Sequence, residues 1–113
     1  MEYRKISLKA HGESVEQALA ICEIEIEKAK RENVKAIKFI HGYGSSGKGG
    51  AIAKELRIFL RKLQRQKIIK NIILGIDFRI ENPVTQKLLA CAEAMACDED
   101  LGHSNPGVTV VVI

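Results

Sequence analysis

The spacing of apolar positions switches along the chain between a period of two and a period near 3.6. From Tyr3 to Ala10 it alternates, with Ile6, Leu8 and Ala10 on one face and Lys5, Ser7 and Lys9 on the other. That is the pattern of a half-buried strand, and it ends at His11-Gly12. Ser14 stands three residues before Gln17 as a capping box, and Val15, Ala18, Leu19, Cys22, Ile26 and Ala29 follow at helical spacing to about Arg31. After a short turn at Asn33 to Lys35, Ala36, Ile37, Phe39 and Ile40 read as a short buried strand. This strand empties into the glycine-rich stretch HGYGSSGKGG. A second helix is predicted from Ala51 to Gln66, with Ile52, Leu56, Phe59, Leu60 and Leu63 as its apolar stripe. Because a helix connects the first two strands, they are expected to be parallel with a right-handed crossover.

Ile68 to Ile76, IIKNIILGI, is a β-branched run that reads as a central strand, followed by a loop from Asp77 to Glu81. Asn82 can cap a helix that has Pro83 at its first position and runs to about Ala96, with Leu88, Leu89, Ala92 and Met95 as a modest apolar face. The acidic stretch CDEDLGHSNPG reads as a loop, and Val108 to Ile113 as a buried terminal strand. No internal repeat interrupts this order.

Composition adds bounds to the picture. A chain of 113 residues with 46% apolar content suits one domain with a folded core. The start is polar from Glu2 to Lys5, and no apolar run approaches the roughly 18 residues of a membrane span, so a cytoplasmic protein without membrane contact is expected. Cys22, Cys91 and Cys97 are odd in number and lack CxxC pairing, which fits reduced thiols; Cys22 falls on the apolar face of the first helix.

Charge changes the picture more. The net +4 divides into +1 over residues 1–47, +7 over 48–70 and −4 over 77–113. On the second helix Lys54, Arg57, Arg61 and Arg65 form a basic rail nearly opposite the apolar stripe, and only Glu55 relieves it. The preceding loop, with Gly42, Tyr43, Gly44, Ser45, Ser46 and Lys48, is a strand-to-helix turn of the kind that seats a phosphate on backbone N–H groups. A basic block beside an anion-ready loop points to a polyanionic partner. His11-Gly12 and His41-Gly42 both leave the C-terminal ends of strands expected to be parallel, where ligands gather in open α/β sheets. Two imidazoles on that side could act as acid and base in phosphodiester cleavage.

Leu8-Lys9-Ala10-His11-Gly12, a capped helix, His41-Gly42-Tyr43-Gly44, a basic helix and Gly107-Val108-Thr109-Val110-Val111 together resemble the small MutS-related (Smr) domain family over nearly the whole chain. Its LDxH and HGxG signatures are matched here by LKAH and HGYG. The resemblance implies a two-layer α/β sandwich of βαβαββ order, similar to the C-terminal domain of bacterial translation initiation factor three. It also implies DNA or RNA binding and, in some members, cleavage, for which His11 and His41 are the candidate residues and a divalent metal a candidate cofactor; Lys9, as a cation at the end of the first strand, can contact phosphate. Two departures stand out. Lys9 takes the place of the family's Asp, and a cation cannot ligate a metal or accept a proton, so cleavage is the weaker expectation. Residues 77–106 exceed the usual link before the last strand, which makes the helix at about 83–96 an expected insertion.

Two other readings compete. Gly42 to Lys48 matches GxxxxGK, and IILGID ends on Asp77 as a Walker B strand would, but Gly49 stands where a Mg²⁺-binding Ser or Thr is needed. A protein-binding adaptor could use the extra helix and the acidic loop; Cys91, Cys97 and His103 lack metal-site spacing. With no recognition helix and no interleaved aromatics, weak sequence preference is expected. The sequence leaves open DNA against RNA and the oligomeric state.

Overall fold

The computed structural model describes residues 2–9, 14–42 and 49–113. Strand β1 spans Tyr3–Ser7, helix α1 Val15–Arg31, β2 Ala36–Ile40, α2 Gly49–Arg65, β3 Asn71–Leu74, α3 Pro83–Cys91 and β4 Val108–Val112. The βαβαββ order is present, with the additional helix before the last strand. The sheet order is β1-β2-β4-β3. β1 and β2 are parallel, in register from Tyr3 opposite Ala36 to Ser7 opposite Ile40, and β4 runs antiparallel to both β2 and β3.

Local chemistry sets the helix ends. Ser14 and Gln17 form the reciprocal capping box at the start of α1. Asn33, with φ of 56°, follows the end of α1, and the Val34 N–H donates back to the Ala29 carbonyl. Helix α2 ends the same way. Lys67 has φ of 60°, its N–H donates to Gln64 O, and the Ile68 N–H donates to Leu63 O, the paired bonds of a Schellman motif. Asn82 Oδ1 accepts from Val84 N and Thr85 N at the start of α3, as the sequence predicts.

Strand alternation divides the core between two faces. On one, Ala18, Cys22, Ile26 and Ala29 of α1 and Ile52, Leu56 and Leu60 of α2 pack on Ile37, Phe39 and Val111. On the other, Phe78, Leu88, Ala92 and Met95 cover Ala36, Ile73 and Val110. The segment between β3 and β4 therefore supplies the second face of the sheet. Among the described residues no helix is long and apolar enough to cross a membrane.

Several expectations need correction. β1 closes at Ser7 rather than Ala10, although Leu8 N–H still donates to Ile40 O; Ala10 lies outside the described residues. α2 begins at Gly49, two residues before the expected start. The run from Ile68 to Ile76 is a strand only over Asn71–Leu74, and it lies at the sheet edge, not in the centre. Its ends are taken by the α2 terminus and by a 3-10 turn at Gly75–Asp77, while the more continuously buried β4 takes the inner place. Helix α3 stops at Cys91 and not near Ala96, because Ala92 leaves helical geometry (φ −135°, ψ 70°) before a 3-10 segment at Glu93–Cys97.

Candidate nucleic-acid interface

The site gathers where β1 and β2 end and α2 begins. His41 directly follows β2, with its backbone N–H and that of Gly42 both donating to Gly107 O, at 2.9 and 3.1 Å. Gly42 has φ of 78°, in the left-handed region, so the turn there suits a residue without a side chain. The His41 side chain is only 2% exposed. Its Nδ1 lies 2.8 Å from Gly42 O and its Nε2 2.9 Å from Thr109 Oγ1. A carbonyl oxygen can only accept, so Nδ1 carries the proton, and Nε2 of the neutral ring accepts from the Thr109 hydroxyl. Burial pushes the His41 pKa below the ordinary histidine value, against the Gly42 bond, and the positive charges of Arg57 and Lys9 push it the same way as burial. The ring is thus a neutral tie between the end of β2 and β4.

Lys9 is exposed just beyond β1, the strand beside β2. On α2, Lys54, Arg57, Arg61 and Arg65 are all exposed, and Lys62 adds a fifth cation. Among the described residues none of these five has a carboxylate partner, whereas Arg4, Lys5, Lys38 and Arg79 do. Between α2, the end of β3 and the start of β4 lies an open cleft of about 520 Å³. Lys54 and Arg57 line it together with Ala53, Ile58, Leu74 and Ile76. His11, Tyr43, Gly44, Ser45, Ser46 and Lys48 lie outside the described residues. Also among the described residues, no three His, Cys, Asp or Glu side chains are grouped as a metal centre requires.

Sequence reasoning missed the support beneath this site. Lys38, in the middle of β2, has no exposed surface, and its Nζ donates to Asp98 Oδ1 at 2.9 Å and Asp100 Oδ2 at 2.6 Å. Burial alone would lower its pKa, but the two aspartates outweigh that and raise it. Burial likewise opposes ionisation of Asp100, and bonds from Asn105 and Lys38 hold its carboxyl below the usual value. Tyr3 also donates to Asp98, and burial together with that bond raises its pKa to about 12. Asn105 continues the chain: its Nδ2 donates to Asp100 Oδ1, and its Oδ1 accepts from Gly107 N, the residue whose carbonyl holds the His41-Gly42 turn. The available signal was Lys38 inside an otherwise apolar strand, a charge that needs a counter-ion, with Asp98-Glu99-Asp100 in the segment read only as loop.

The Smr domain family model matches residues 8–72, more than half of the chain. The chain belongs to the Smr domain family. Its fold is similar to the crystal structure of the Smr domain of Thermus thermophilus MutS2, with a TM-score of 0.57 and 19% identity over 99% of this chain and 96% of that one. At that identity the likeness speaks to the fold. Comparison with curated proteins finds no match. In this Smr domain the matched region runs from Leu8 to Ile72, the second residue of β3, so it includes the His41-Gly42 turn and the whole basic helix.

Proposed function

We propose that this Smr domain binds nucleic acid through the phosphate backbone, with the exposed face of α2 as the main contact. The observation that carries the reading is the row Lys54, Arg57, Arg61 and Arg65, exposed and without a carboxylate partner among the described residues. A row of cations on one helix suits a regularly charged polymer, and it releases counterions without reading bases. Lys9, exposed just beyond β1, adds a further cation to this surface, and the glycine-rich loop from Gly42 to Lys48 is assigned to the same partner on its sequence alone.

The same reading assigns His41 to positioning and not to proton transfer. Both ring nitrogens are engaged inside the protein, and the neutral form is favoured. With Lys9 where the family carries an acid, binding without appreciable cleavage is the expected behaviour, whether or not a divalent metal is supplied. The sheet favours this reading over nucleotide hydrolysis, because β4 runs antiparallel between β2 and β3, unlike the parallel βαβ frame in which a P-loop sits. An adaptor role for α3 gains less support, since Leu88 and the following Ala92 and Met95 are spent on the domain's own sheet.

A salt titration tests the proposal. Arg57→Glu combined with Arg61→Glu is expected to weaken binding to all single- and double-stranded sequences alike, and to flatten the slope of log K against log salt by about 1.5 to 2. Unchanged affinity and slope in a variant folded by circular dichroism would reduce the rail to a solvated surface. Running the same mixtures on a denaturing gel with Mg²⁺ or EDTA is expected to show intact strands; product that disappears in His11→Ala would establish cleavage instead.

A further inference from the structure

The cleft beside α2 combines two chemistries that backbone binding alone does not require. Lys54 and Arg57 stand on its edge, while its walls carry the apolar side chains of Ala53, Ile58, Leu74 and Ile76. Ile58 and Ile76 are 55% and 49% exposed. Two branched aliphatic side chains facing solvent across one concavity are costly to leave uncovered, and they are two of only four large exposed hydrophobics among the described residues. The volume of about 520 Å³ falls in the range of small-molecule sites, about 300 to 1,000 Å³. The floor is rigid. Gly75 lies so close to the Asn105 backbone that an added Cβ would sit 1.8 Å from its carbonyl oxygen, and Asn105 is in turn tied to Asp100 and Gly107.

We infer that the cleft receives an unpaired nucleobase of a single strand, covered by Ile58 and Ile76, while Arg57 and Lys54 hold the adjoining phosphates. This occupant satisfies both halves of the site. An apolar peptide would leave the two cations unanswered, and a duplex keeps its bases stacked out of reach. Aliphatic side chains press on the face of any base, so the contact favours single strands over duplex without selecting a sequence. The inference rests on the reading of α2 as a phosphate-binding surface and adds to it a preference for unpaired strands.

The test compares labelled oligothymidylate and oligouridylate with an abasic strand of equal length and charge, by fluorescence anisotropy at several salt concentrations. The abasic strand reads the phosphate contribution alone. The wild type is expected to bind an intact strand roughly fivefold more tightly than the abasic one, the low end of what a base stacked on an aromatic side chain contributes. Ile58→Ser removes exposed surface without touching the core, and Ala53→Phe fills the cleft; each is expected to bring that ratio close to one. Equal binding of intact and abasic strands by the wild type, or a preference that survives both substitutions, overturns the inference. If in that case the abasic strand still binds and Arg57→Glu with Arg61→Glu weakens it, the phosphate reading stands and only the cleft assignment falls. If no strand binds, both fall. Competition by thymidine or uridine monophosphate as strong, per nucleotide, as by the strand would assign the cleft to a free nucleotide and overturn the single-strand occupant.

Discussion

At the scale of single residues, the two polar side chains buried in and just after β2 serve different ends. Lys38 is fully enclosed, so its charge is tolerable only because Asp98 and Asp100 meet it directly. Lys38→Met would leave those carboxylates in the interior without their cation, and a loss of about 3 to 5 kcal/mol in urea denaturation is expected. Replacing Asp98 and Asp100 by Asn in the Lys38→Met background should recover part of it; a single-variant loss below about 1 kcal/mol would show that the network contributes little. His41 gives a pH signature. Its folded pKa is lowered below the ordinary histidine value of 6.5, so on acidification the unfolded chain takes up the proton first and stability falls as pH drops below that value. The raised pKa of Lys38 costs stability only as pH rises beyond 10.5, and the lowered one of Asp100 only as pH falls below 3.8, so neither intrudes near neutrality. Wild type is therefore expected to lose more stability between pH 7.5 and pH 5.5 than His41→Gln does. Equal losses in paired urea titrations would remove His41 as the source.

At the scale of elements, the helices were the most legible part of the chain, because their signals are local. The capping box at Ser14 and Gln17, the Asn82-Pro83 start of α3 and the stripe on α2 all depend on residues within a turn or two of each other. The end of α2 carries a residual strain. Lys67 holds a left-handed conformation that disfavours a side chain, in a motif where glycine is the usual occupant. Lys67→Gly is expected to raise stability by about 0.5 to 1 kcal/mol, read as a higher urea midpoint at unchanged slope. A lower midpoint would mean that the lost chain stiffness outweighs the relieved strain. Strand β3 shows the limit of local reading. Its residues are as β-branched as those of a central strand, but Ile68 and Ile69 help close α2 onto the core instead of extending the ladder.

At the scale of the whole molecule, sequence by itself determined the order of strands and helices, the parallel pairing of β1 with β2, the apolar and basic faces of α2 and, through HGYG in its context, the Smr family. These rest on periodicity, capping and motif spacing, which neighbouring residues carry whatever the rest of the chain does. Tertiary structure alone decided that β4 inserts between β2 and β3, that the segment before it covers the second face of the sheet, and that Lys38 meets aspartates 60 and 62 positions away. It alone placed the Thr109 hydroxyl against His41 Nε2, 68 positions apart in the chain. Each of these depends on which distant surfaces bury one another. That choice is made by the free energy of the assembled sheet, where a buried charge must find its counter-ion and a β-rich strand takes the place its neighbours leave.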